Sequence, residues 1–283
     1  MSRAALVKFS EGLAARIAPG PGDVVLWIHG YTLDSSSWIP LWRLLPRWSH
    51  VGIDLPGHGV SLPFAVDEDL PALARRIGRL ALERDVKHVV ALSFGTLLAL
   101  QLGIEFPTAF SSIVLASPAL GGGPRDDDVA RRYRELMELH RTLGFGPHLR
   151  ERWMQSPPDV FKGAERRPEL WRQLWRLVER HPWWELGDDA YLRLNRHPQS
   201  AADLQRVRAA ILLVVGEHEL PAFKRCAEII RRAAPRCRRV YLPDVGHLSL
   251  LEDPERAHTI VEEHLLASLA PAREAPATED VTR

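Results

Sequence analysis

The sequence predicts an α/β protein: a mostly parallel, doubly wound sheet covered by helices on both faces, with one helical insertion. Three observations predict it. Short apolar runs recur along the chain, and most lack polar alternation, as strands covered on both faces do. Helical periodicity separates many of them. Between about Leu120 and Arg206 the alternation stops, and that stretch is too long to be a loop.

In chain order, Leu6 to Ala18 is read as an antiparallel hairpin at the sheet edge. Val24 to Ile28, Val51 to Asp54, His88 to Leu92, Ile113 to Ala116, Ile211 to Val215 and Arg239 to Leu242 are the apolar strands. Leu70, Leu73, Ala74, Ile77, Leu80 and Ala81 recur at three- and four-residue steps, so they line one helix face. Phe94 to Phe106 is apolar nearly all round and predicts a buried helix. Asp253-Pro254 before Glu255 to Leu269 marks a helix start, an acidic cap followed by proline at the first position. Inside the insertion, Asp127 to Leu143, Pro168 to His181 and Asp188 to Arg196 are helical. These patterns divide the chain into a core of residues 1–119 and 207–270, an insertion of residues 120–206, and a polar tail of residues 271–283 expected to fray.

The composition narrows the function. In 283 residues, 37 Lys and Arg stand against 36 Asp and Glu, a formal charge of +1. That balance provides no basic field for nucleic acid. Arginine pairs such as Arg131-Arg132 and Arg231-Arg232 read as solvated helix faces. Cys226 and Cys237 lack metal-ligand spacing and are read as reduced. No run of about 18 apolar residues suggests a membrane span, and residues 1–20 lack a secretory pattern. The expected location is the cytoplasm. No metal cluster or phosphate-binding glycine loop is visible, so neither metal nor organic cofactor is expected.

Ala91-Leu92-Ser93-Phe94-Gly95 lies between an apolar strand and a buried helix. A nucleophile elbow needs that context, because its serine sits on a sharp turn flanked by small residues. A hydroxyl is a weak nucleophile at neutral pH and needs a neighbouring base. An imidazole can take and return that proton. Of the 12 histidines, His247 is the candidate base, in a Gly-His loop after the last strand. His29 and His58 read as structural residues of their turns.

The chain resembles the α/β-hydrolase superfamily over essentially residues 20 to 270. Four segments carry the resemblance: His29-Gly30-Tyr31-Thr32, Asp54 to Ser61 (DLPGHGVS), Ala91 to Gly95, and Gly246-His247. Ala91 stands where the family usually has glycine. The resemblance implies an α/β-hydrolase fold, a helical cap formed by the insertion, Ser93 as nucleophile and His247 as base. It places the orienting acid at Glu219, where aspartate is usual, with Glu217 as the alternative. It places the oxyanion donors at the backbone N–H groups of Tyr31 and Phe94.

The insertion carries five of the nine tryptophans, Trp153, Trp171, Trp175, Trp183 and Trp184. Packing of the cap explains Trp171 and Trp175. Trp183 and Trp184, with Trp38 near the His29-Gly30 turn, are candidate walls of a pocket for an apolar or aromatic acyl substrate. The implied activity is hydrolysis of a carboxylic ester, thioester or lactone. The same Ser and His also serve C–C hydrolysis, lyase or perhydrolase chemistry in relatives, and a non-catalytic binding protein is the third class.

Overall fold

The computed structural model describes residues 4–10, 12–188 and 190–269; the polar tail expected to fray lies outside them. Eight strands form one sheet: β1 (Ala5–Ser10), β2 (Leu13–Ala18), β3 (Val24–Ile28), β4 (Ser49–Ile53), β5 (Val86–Leu92), β6 (Ser112–Ala116), β7 (Ala210–Gly216) and β8 (Cys237–Leu242). Their spatial order is β1-β2-β4-β3-β5-β6-β7-β8. β1 and β2 form the expected hairpin, β2 joins β4 antiparallel, and all other pairs are parallel. The chain runs outward from β3 to β4 and then returns to β5, so strand order reverses at β3. In open α/β sheets that switch point, at the carboxyl ends of the strands, is where ligands bind.

The main helices are α1 (Leu70–Leu82), α2 (Gly95–Glu105), α3 (Asp127–Leu143), α4 (Pro147–Trp153), α5 (Pro168–Arg180), α6 (Ala190–Arg196), α7 (Pro221–Ala233) and α8 (Pro254–Ala267). Asp69 caps α1 by accepting from Ala72 N at 2.7 Å, and the predicted stripe from Leu70 to Ala81 is buried apart from the half-buried Leu80. Gly78 lets α1 lie against α2, because a Cβ there would meet the Phe106 ring at 2.1 Å. α2 is buried on every side, as its apolar sequence requires. Asp253 caps α8 at the predicted start. Between β6 and β7 the described chain forms helices and turns with no strand.

Two readings of the sequence change. Arg132 is not on a solvated face: it is 3% exposed. Its guanidinium donates to the carbonyl oxygens of Arg152, Gln155 and Pro157, so it ties α3 to the end of α4 and to the turn that follows it. Residues Pro221 to Ala233, where no helix was predicted, form α7, whose buried face is the modest row Ala222, Cys226, Ala227 and Ile230. Both cysteines are free thiols.

Buried neutral histidines tie helices to the sheet. His50 on β4 lies parallel to the Trp42 ring at 5.2 Å, accepts from Trp27 Nε1 at 3.1 Å and donates to Leu45 O at 3.0 Å. His264 on α8 donates to Ala210 O of β7 at 3.0 Å. Burial lowers the pKa of His50 to about 4. Burial, followed by the nearby Arg238 charge, lowers that of His264 to about 3. Below about pH 6.5 the unfolded chain binds protons at these positions that the folded chain refuses, so folding weakens with acidity. At pH 5 each histidine is expected to cost about 2 kcal/mol of stability relative to pH 8. Denaturant titrations at the two pH values check this, and His264→Gln should flatten the dependence by its share.

Candidate active site

The site begins with a backbone constraint. β5 ends at Leu92 and α2 begins at Gly95, so the chain reverses within two residues. Ser93 takes φ +51°, a left-handed conformation for a residue with a side chain. Such a conformation costs on the order of 1–2 kcal/mol. Three bonds hold it: Ser93 N donates to Ala116 O at 2.9 Å, and Ser93 O accepts from Thr96 N at 2.9 Å and from Thr96 Oγ1 at 2.5 Å. Small neighbours make the turn possible. A Cβ on Gly95 would meet His29 O at 2.4 Å, and Ala91 is fully buried between Ile28 and Leu115 of the adjoining strands. The turn aims the Ser93 side chain past the end of the sheet while α2 points its amino terminus at the same place.

His247 sits in the loop after β8. Its Nε2 lies 2.7 Å from Ser93 Oγ, and its Nδ1 lies 2.7 Å from Glu219 Oε1. The imidazole and the carboxylate are both buried. Glu219 Oε1 also accepts from Leu220 N at 2.8 Å, which fixes the carboxylate orientation. With Nδ1 donating to the carboxylate, Nε2 is free to accept from the hydroxyl. Glu217 points elsewhere: it is exposed and accepts from Asp244 N at 3.1 Å. With His218 and Asp244 it forms the described group of side chains whose ligand atoms could converge on a cation, all three at the surface.

The His29-Gly30 turn lies against the elbow. A Cβ on Gly30 would stand 3.3 Å from Ser93 Cβ. His29 donates from Nδ1 to Gly30 O at 2.8 Å and accepts at Nε2 from Leu55 N at 3.0 Å. It therefore staples this turn to the Asp54 loop. Burial depresses its pKa, so it stays neutral in that role. Neither Tyr31 N nor Phe94 N has a hydrogen-bond acceptor among the described residues. Two amides without partners beside a reactive oxygen can stabilise negative charge arising there.

Above Ser93 is a small cavity of about 30 Å³, lined by Gly30, Tyr31, Leu33, Ser93, Val129, Trp153, Val160, Phe161, Tyr191, Phe223, His247 and Leu248. Trp38, Trp183 and Trp184 are not among its walls. Trp38 is fully buried and packs on Trp27 of β3 at 5.2 Å. Trp183 is buried behind the Tyr31 ring, edge-on to His181 at 4.7 Å. Trp184 is 41% exposed. The aromatic wall comes instead from Tyr31, Trp153, Phe161, Tyr191 and Phe223.

This arrangement agrees with what the chain resembles: residues 25–258 match the model of the alpha/beta hydrolase family. The chain belongs to that family. A monoacylglycerol lipase of Xenopus laevis, abhd6-B, is 29% identical over 277 residues, covering 89% of this chain and 77% of the lipase. A dihydrolipoyllysine-residue acetyltransferase component of an acetoin cleaving system, from Cupriavidus necator, is 34% identical over 113 residues. That match covers 38% of this chain and only 30% of the acetyltransferase component. The chain likewise spans little over a third of other curated relatives, an AB hydrolase superfamily protein of Gibberella zeae among them. Among solved structures, a thermophilic esterase from Thermogutta terrifontis superposes with TM-score 0.74 at 23% identity, over 90% of this chain and 94% of the esterase, a likeness of fold. Among the described residues no helix is long and apolar enough to cross a membrane.

Within this family frame, two carboxylates escaped the sequence reading. Glu252 is buried and accepts from both amides that flank His247, Gly246 N at 2.8 Å and Leu248 N at 3.0 Å. Arg167, from the helical segment, approaches Glu252 at 3.4 Å and donates to Asp244 O at 3.1 Å. Glu185, from the same segment, accepts from the Tyr31 hydroxyl at 2.5 Å and from His181 Nε2 at 3.1 Å. Burial opposes ionisation of Glu185, yet the His181 charge and these two donors outweigh it and hold its pKa below the usual carboxylate value. Burial and then the Glu185 charge push the Tyr31 phenol far above its ordinary range. The one signal for Glu252 was local, an acid five residues past the Gly-His loop; Glu185 lies 154 residues from Tyr31 and left none.

Glu252→Gln keeps the side-chain size but cannot accept from both amides. Losing a buried hydrogen bond to a charged acceptor costs about 1.5–3 kcal/mol, so the Gly246 or Leu248 amide should exchange with deuterium at least tenfold faster. Unchanged protection at both amides would show that Glu252 does not hold the His247 loop.

Proposed function

We propose that this chain is a serine hydrolase that cleaves a carboxylic ester, thioester or lactone through an acyl-enzyme on Ser93. The observation that carries this reading is the continuous hydrogen-bond chain from Ser93 Oγ through His247 to Glu219, two bonds of 2.7 Å each, ending beside two unpartnered amides.

In the proposed mechanism Ser93 Oγ attacks the acyl carbonyl while His247 Nε2 takes the hydroxyl proton. Glu219 keeps the imidazole in the tautomer whose Nε2 is bare and stabilises the imidazolium that forms. The carbonyl oxygen gains negative charge and is met by the Tyr31 and Phe94 N–H groups and by the amino terminus of α2. His247 returns the proton to the leaving group. Water then attacks the acyl-enzyme by the same route in reverse. The helical segment closes over the reacting atoms as a cap, and its aromatic side chains displace water, which strengthens each of these interactions. Glutamate replaces the usual aspartate without loss of reach, since the Glu219–His247 contact is already at hydrogen-bond distance. The lipase and esterase likenesses support an ester substrate.

A fluorophosphonate probe should label the wild-type chain, and Ser93→Ala should abolish the label and p-nitrophenyl ester turnover together. His247→Ala should lower turnover by about 10⁴-fold or more, and Glu219→Gln by a large part of that, as when an orienting acid is lost elsewhere. Glu217→Gln should leave it within about twofold, because that side chain does not reach the imidazole. Labelling that survives Ser93→Ala, or a larger loss in Glu217→Gln than in Glu219→Gln, would overturn the assignment.

A further inference from the structure

The chamber at Ser93 is too small for a whole substrate. Its volume of about 30 Å³ has room for about two water-sized spheres, enough for a reacting carbonyl and its nearest atoms. Val129, Tyr191 and Phe223 line this chamber and also line a second cavity of about 220 Å³ outside it. These three side chains are therefore a common wall, and the bulk of a substrate attached to Ser93 has the outer cleft as its adjoining space.

The outer cleft differs in charge from the inner chamber. Its floor is apolar, made by Leu120, Ala130, Tyr133 and Leu192, and its rim carries Arg125, Arg134 and Arg196. Elsewhere in the helical segment five arginines have acidic partners: Arg131 pairs with Asp128, Arg141 with Glu138, Arg150 with Glu179, Arg152 with Glu135 and Arg180 with Asp34. The three rim guanidiniums have no acidic partner among the described residues. The acid in the cleft, Asp126, is occupied as the cap of α3, accepting from Asp128 N at 3.1 Å and Val129 N at 3.0 Å. Asn195 turns its amide N–H to Tyr191 O at 2.7 Å. One acid against three cations leaves the cleft net positive, with guanidinium forks that match carboxylate or phosphate oxygens.

We propose that the substrate is an acyl compound with an anionic group, carboxylate or phosphate, remote from the bond that is cleaved. The reacting carbonyl enters the chamber at Ser93, a short apolar chain passes Val129, Tyr191 and Phe223, and the anion rests on Arg125, Arg134 and Arg196. This inference rests on the hydrolase reading of Ser93 and narrows it to a substrate class.

The test compares p-nitrophenyl esters of equal chain length ending in methyl, carboxylate or phosphate, in the wild type and in Arg125→Gln/Arg134→Gln/Arg196→Gln. The wild type should prefer at least one charged series by tenfold or more in kcat/KM, and the triple variant should reduce that preference to within twofold. The series that responds identifies the anion. A companion measurement separates this proposal from the chemistry: calorimetric binding of ω-carboxy and ω-phospho acyl methyl esters to Ser93→Ala, with and without the three glutamines, should weaken tenfold. If neutral and charged esters are turned over alike, or the preference survives the triple variant, the anionic class is wrong while the hydrolase reading stands. If no ester is turned over and no probe labels Ser93 but binding still depends on the three arginines, the hydrolase reading fails and the anion cleft remains.

Discussion

The left-handed backbone at Ser93 is the constraint on which the rest of the site depends. It sends the side chain out of the sheet in the space of two residues, and it does so at an energetic cost that neighbours must cover. Ala116 O, Thr96 and the tight approach of Gly95 to His29 O supply that compensation. Small residues at 91 and 95 are consequences of the turn. Alanine at 91 lies within β5, fully buried between Ile28 and Leu115 of the adjoining strands.

Much of the sheet was legible because a buried strand must be apolar on both faces, and Val24 to Ile28 or Ile211 to Val215 can hardly be anything else. Ser93 and His247 were legible for a different reason: glycine and proline punctuation around them marks turns. Between Glu217 and Glu219 the family spacing favoured the second, and the structure turns that carboxylate to the imidazole while Glu217 meets the Asp244 amide. What the sequence hid were relations between distant segments. Nothing in Arg132 says that it ties α3 to the end of α4, and nothing in Trp38 says that it faces Trp27 and not the cavity. A tryptophan count records aromatic content and not direction. α7 was missed because its buried face, Ala222, Cys226, Ala227 and Ile230, contains three small side chains and one large one.

The loops around Ser93 are each organised by a buried polar group from a neighbouring element. His29 joins the turn that carries the Tyr31 amide to the Asp54 loop. Asp54 in turn accepts from Ser35 N at 2.8 Å and Val60 N at 3.2 Å, so one side chain orders two loops. Glu252 does the same for the two amides around His247. Backbone groups with no strand or helix partner are thereby satisfied by carboxylates and imidazoles held out of water, where each such bond is stronger than it would be at the surface. The loops acquire rigidity although they lie beyond the carboxyl ends of the strands.

The helical segment reaches two of these loops directly, through Glu185 to the Tyr31 hydroxyl and through Arg167 to Glu252 and the Asp244 carbonyl. Raising that segment would break both attachments at once and leave the amide turn and the imidazole loop without their outer anchors. What covers the reacting atoms therefore also braces the loops that carry them, so cover and alignment are one structural condition.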